Sequence, residues 1–131
     1  MSQSKYVTVE EIPEAEVMRW LNILLEPEFR DKNIIMEQIQ NAKMYLKESY
    51  VDACFFGFQT VGDVEKYPYK ITVPIEMSIY RTNGIPIDFL LFLSEGVVSE
   101  MEIADFDFLD LDPVSFDFTK RDYRINDAVR I

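Results

Sequence analysis

The sequence predicts an α+β domain in which two N-terminal helices pack on a largely antiparallel meander sheet. Three observations carry this. Apolar residues near the N-terminus recur at helical spacing, those between Ile71 and Ile103 alternate with period two, and glycines interrupt the alternation where turns are needed. With 131 residues, one domain spanning 1–131 accounts for the chain, because a domain of this size buries roughly two thirds of its unfolded surface. An apolar fraction of 48%, of which aromatic residues make 14% of the chain, lies far from the composition of disorder.

Pro13, followed by Glu14 and Glu16, marks a helix start, since proline is tolerated in the first turn and carboxylates suit the positive end of the helix dipole. Val17, Trp20, Leu21 and Leu24 then form one apolar stripe, so the helix should run to about Leu25 with Trp20 in the core. After the break at Glu26-Pro27, a shorter helix is expected from about Asp31 to Asn41, capped by Asp31 or Asn33, with Ile35, Ile39 and Ala42 inward. From Lys43 the period changes. Met44, Leu46 and Tyr50 share one parity and Cys54, Phe56 and Phe58 another run, which predicts a hairpin connected through Val51-Asp52. Gly62 to Tyr69 is expected to be loop.

In the stretch from Ile71 to Tyr80 the odd positions Ile71, Val73, Ile75, Met77 and Ile79 are apolar, as are Ile85, Ile87, Phe89, Leu91 and Leu93, then Val97, Met101 and Ile103. Shared parity constrains the turns. Three-residue loops at Thr82-Asn83-Gly84 and Ser94-Glu95-Gly96 would oppose Ile79 to Ile87, Met77 to Phe89, Phe89 to Met101 and Ile87 to Ile103. Further on, the apolar phase slips at Phe108-Leu109, which predicts a bulge or a corner, and Val114, Phe116 and Phe118 read as a last strand.

The same register places Asp88 between Ser78 and Glu102, and Leu90 between Glu76 and Glu100, so four carboxylates gather on the outer face. Charge is also uneven along the chain. Twenty-four acidic residues against thirteen basic ones give a net charge of −11, and Thr82 to Thr119 contains no lysine or arginine. Lys120, Arg121, Arg124 and Arg130 follow, as a tail expected to fold back over the acidic segment. Such a balance argues against nucleic acid and anionic membranes as partners and in favour of a basic protein. The expected binding face is Glu76, Asp88, Glu100 and Glu102 around Leu90, rimmed by Asp105, Asp107, Asp110 and Asp112.

Chemistry finds little support in the residues. There is no histidine, so Ser-His-Asp and Cys-His catalysis and most zinc sites are excluded. No phosphate loop or dinucleotide fingerprint occurs, so no cofactor is expected. Asp105 to Phe116 fails the calcium-loop template, with Asp110 where glycine is required and Phe116 where a bidentate glutamate belongs, and no metal ligands are assigned. Cys54 is the only cysteine and lies among Ala53, Phe55 and Phe56, which suits a buried apolar residue in a reducing cytoplasm. The polar residues at the N-terminus do not resemble a secretory signal, and no apolar run approaches the roughly 18 residues of a membrane span.

The pattern Glu76…Tyr80…Asn83-Gly84…Pro86-Ile87…Phe89…Leu91-Phe92…Gly96…Ser99-Glu100…Glu102-Ile103 resembles the hairpin region of small bacterial α+β families of uncharacterised or toxin-immunity-like type. The resemblance implies a non-catalytic, stoichiometric inhibitor that binds a cognate basic toxin. Two other classes fit the residues: a structural or housekeeping interaction protein with a constant partner, and a metal- or carboxylate-dependent enzyme.

Overall fold

In the computed structural model, residues 11–50, 53–80, 84–105 and 117–131 are described. Helix α1 spans Glu14–Leu24 and α2 spans Lys32–Gln40. They precede the strands β1 (Ala42–Ser49), β2 (Ala53–Thr60), β3 (Ile75–Tyr80), β4 (Pro86–Ser94), β5 (Val97–Asp105) and β6 (Arg121–Ile125). The strands form one sheet in the order β1-β2-β5-β4-β3-β6, antiparallel throughout, so the predicted α+β class holds. Among the described residues no helix is long and apolar enough to cross a membrane.

The helix boundaries fall where the sequence places them. Val17, Trp20, Leu21 and Leu24 are buried, and Trp20 meets Phe56 of β2 and Phe89 of β4 edge to face, at centroid distances of 6.1 and 6.4 Å. The helices therefore cover the sheet face that carries Met77, Phe89, Leu91, Met101 and Ile103, all fully buried. In α2 the expected cap fails: Asp31 occupies the N-cap position in a left-handed conformation, φ 55°, without capping the helix. Its carboxylate instead accepts a hydrogen bond from the Tyr69 hydroxyl at 2.9 Å.

Two bulges decide which residues face the helices. Between Met44 and Leu46 the β1–β2 register shifts, which turns Lys47 to the helix side, where its ammonium donates to the Ile12 carbonyl at 2.7 Å. Leu46, which shares the parity of Met44 in the sequence, therefore lies opposite Gly57 on the outer face. The second bulge corrects the β4–β5 turn. Instead of three residues the turn has two, Glu95-Gly96, both with positive φ (50° and 79°), as twist-matched hairpin turns require. Such a turn alone would oppose inward to outward residues. One extra residue at Ser99, whose hydroxyl donates to the Phe92 carbonyl at 3.1 Å, restores parity. Consequently Val98 rather than Val97 is buried, Phe89 pairs with Ile103 rather than Met101, and Ile87 lies opposite Asp105 rather than Ile103.

The β3–β4 register is the expected one, with Ile79 opposite Ile87 and Met77 opposite Phe89, and Gly84 has φ 84°. Residues 81–83 of that loop lie outside the described residues, as do Val51-Asp52. Strand β3 starts at Ile75 rather than Ile71, because Pro74 has no N–H to give to a ladder. The preceding residues still bridge neighbours, with Leu93 N–H donating to Thr72 and Asn126 N–H to Pro74. The phase slip at Phe108-Leu109 and the start of a strand at Val114 and Phe116 fall outside the described residues. The basic segment is not a tail laid over the acidic one: it forms β6, an edge strand beside β3. Arg121 pairs with Glu26 at 2.6 Å and Tyr123 donates to the Ile23 carbonyl at 2.7 Å, which fasten β6 to the end of α1.

Two consequences are testable. An added Cβ at Gly96 would stand 2.9 Å from the Tyr67 carbonyl oxygen on a left-handed backbone, so Gly96→Ala should lower stability by about 2 kcal/mol or more, read by urea denaturation. Tyr67 is buried and donates its hydroxyl to the Arg30 carbonyl, and burial holds its pKa well above the ordinary value. Stability from this group is complete below the unfolded tyrosine pKa of about 10 and is lost as pH rises beyond it. Urea midpoints measured from pH 9 to 11.5 should fall, and Tyr67→Phe should flatten the decline while weakening the domain at pH 7.

Candidate functional site

The helix-covered face leaves the opposite face of the sheet to carry the predicted carboxylates. Alternation along β3 and β4 turns Glu76, Ser78, Asp88 and Leu90 outward, opposite the buried Met77, Ile87, Phe89 and Leu91. The β4–β5 register, shifted by two residues from the expected one, changes their neighbours. Leu90 lies between Glu76 and Glu102 rather than Glu100, and Asp88 lies between Ser78 and Ala104 rather than Glu102. Glu100 moves up to pair with Phe92 and, on the other side, Gly57.

The shift converts a flat array of acids into a shallow open depression of about 600 Å³. Leu90, Ala53, Phe55 and Ala104 are its apolar part, and Tyr50, Glu76, Asp88 and Glu102 complete the lining. Of the predicted residues, Glu76, Asp88, Leu90 and Glu102 are thus brought together, whereas Glu100 lies outside the depression. Asp105 ends β5, and the predicted rim at Asp107, Asp110 and Asp112 lies outside the described residues.

Hydrogen bonds hold several of these groups in place. The Ser78 hydroxyl, almost fully buried, donates to the Asp88 carboxylate at 2.5 Å. Arg124, on β6 directly opposite Glu76, donates to the Glu76 carboxylate. Tyr50 donates its hydroxyl to Glu48 at 2.6 Å and packs edge to face on Phe55, centroids 5.6 Å apart and planes at 84°. The Arg124–Glu76 pair is solvent-exposed, so Arg124→Gln should change stability by less than about 1 kcal/mol, as thermal unfolding will register.

Titration on this face follows its charge. The Glu48 carboxylate beside Tyr50 raises the phenol's pKa, the Asp122 carboxylate does the same for Tyr80, and Glu76 strengthens the protonated state of Arg124. Among the described residues no group of three or more histidine, cysteine or acidic side chains is arranged to hold a metal ion. Cys54 is buried on the helix side, opposite Ile103.

The sequence reading did not anticipate Tyr50, Phe55, Ala53 and Ala104 as parts of the site. Tyr50 carries only the parity it shares with Met44 and Leu46, and Phe55 and the two alanines carry outward parity on strands whose pairing, β2 with β5, joins elements far apart in sequence. A second groove, on the helix side, also went unforeseen: Met18 of α1, Met36 of α2 and Met44 of β1 line it together. No protein-family model, curated protein or solved structure significantly matches this chain.

Proposed function

We propose that this chain is a non-catalytic protein-binding domain that docks a basic partner on its outer sheet face. We infer further that the partner is a toxin, inhibited stoichiometrically in a bacterial cytoplasm, as the resemblance to toxin-immunity-like families implies. The depression around Leu90 carries the reading. An apolar centre bounded by Glu76, Asp88 and Glu102 has the anatomy of a recognition patch, in which buried apolar area supplies affinity and peripheral charge supplies rate and selectivity. The net charge of −11 adds long-range steering of a cationic partner, which salt screens.

Immobilised wild-type chain and the double variant Asp88→Lys, Glu102→Lys test this side by side. Native lysate passed over both should leave one stoichiometric basic protein on the wild type at low salt, released at high salt, and none on the variant. Equal retention by a variant that unfolds at the wild-type temperature would contradict the reading.

The methionine-lined groove favours a second reading, a structural or housekeeping interaction protein. Methionine side chains adapt to apolar partners of varied shape, so a constant partner would dock on the helix side and ignore both substitutions.

A further inference from the structure

The depression has walls of two chemical kinds, and both select for a cation carried on an aliphatic stem. Asp88 and Glu102 supply negative charge, while Tyr50 and Phe55 place an edge-to-face aromatic pair, 5.6 Å between centroids, beside it. Aromatic faces attract guanidinium and ammonium groups, most strongly where the cation is partly desolvated. Leu90 and Ala104 add apolar surface of the kind on which methylene stems lie while their charged heads reach outward. Arg124 already shows the charge pairing in cis: its guanidinium donates to Glu76 at one margin of the depression. We propose that the depression is the anchor pocket for one arginine side chain of the partner, its stem over Leu90 and Ala104 and its guanidinium between the Tyr50–Phe55 pair and the carboxylates of Asp88 and Glu102.

This anchor rests on the reading of the outer face as the docking surface and adds to it a single position of high cost. Exposed acids elsewhere contribute to rate and salt dependence, whereas a stacked, charge-paired arginine contributes chiefly to the lifetime of the complex. Tyr50 and Phe55, which bear no net charge, become determinants of selectivity.

A triarginine peptide, capped at both ends, is the probe, followed by amide and methyl NMR shifts of the full chain. Saturable shifts should concentrate on Phe55, Leu90 and Ala104. Tyr50→Ala should weaken binding about fivefold, as loss of an aromatic wall implies, while Tyr50→Phe keeps it. Asp88→Asn with Glu102→Gln should weaken it by about tenfold or more. Methylguanidinium, which has the charge without the stem, should produce no saturable shifts at Leu90. Two results would overturn the anchor. Shifts spread over all the acidic residues and indifferent to Tyr50→Ala would leave a basic partner held by charge alone. Peptide shifts confined to the helix side would remove the outer face as docking surface as well.

Discussion

Gln38→Leu should lower the stability of the domain by roughly 3–5 kcal/mol, although the substitution adds apolar character to the core. Gln38 is fully buried, and its amide serves three backbone groups at once: the side-chain nitrogen donates to the carbonyls of Glu65 and Gly96, and the side-chain oxygen accepts from Val98 N–H, each at 2.8 Å. These groups belong to the long β2–β3 connection, the β4–β5 turn and the start of β5, so one side chain of α2 clasps them together. Leucine would strand the Val98 donor and the Glu65 acceptor without water, at about 1–3 kcal/mol each. The Gly96 carbonyl would keep its bond from Tyr67 N–H. Gln38→Glu separates polarity from geometry: it keeps the acceptor for Val98 but faces two carbonyl oxygens with a carboxylate. It should be as damaging at neutral pH and partly rescued in acid, where a protonated carboxyl donates again. Urea denaturation of both variants at pH 5 and 7 gives the comparison, and a loss under 1 kcal/mol for Gln38→Leu would show the clasp to be dispensable.

Trp20→Ala should cost a similar amount, about 3–5 kcal/mol, with the midpoint of thermal unfolding lowered by roughly 10 °C or more. The indole is fully buried between Phe56 and Phe89, joining α1 to two strands that are not neighbours in the sheet. Its N–H donates to Glu16 at 2.9 Å, one turn earlier on the same helix, and Arg19 bonds the same carboxylate and holds its pKa below the ordinary range. Trp20→Phe retains most of the packing and loses the hydrogen bond, so it should fall well short of the alanine variant. Equal losses for the two would place the importance of Trp20 in the hydrogen bond rather than in the ring's volume.

How far the sequence could be read depended on the range of the signal. Periodicity is local, and it located α1, α2 and the inward residues of β3 and β4 because each repeat lies within a few residues of the next. Register across a turn is less local: the parity of Leu91 and Met101 was right, but the two-residue turn at Glu95-Gly96 and the bulge at Ser99 together moved every β4–β5 pair from Ile87 to Phe92 by two positions. Two compensating irregularities leave no trace in the alternation. The site suffered most from this, since exchanging Glu100 for Glu102 beside Leu90, and Glu102 for Ala104 beside Asp88, decides whether the face is an acidic plane or a depression with an apolar floor. Gln38 was hidden for another reason. It flanks the stripe of Ile34, Ile35 and Ile39, where a polar residue reads as a boundary of the buried face, and its partners come from segments 27 to 60 residues away. Strand β6 was obscured by charge, since Lys120, Arg121, Arg124 and Arg130 read as a tail folded back over the acidic segment, although an edge strand accommodates such residues and gains protection from them.

Methyl-labelled NMR of the complex with the captured basic partner tests the central claim most directly. If the outer sheet face is the docking surface, the methyl signals of Ala53, Leu90 and Ala104 should move or broaden, while those of Met18, Met36 and Met44 across the molecule stay in place. The reverse pattern, with the three methionines perturbed and Leu90 unchanged, would contradict the account and assign partner binding to the groove between the helices and β1.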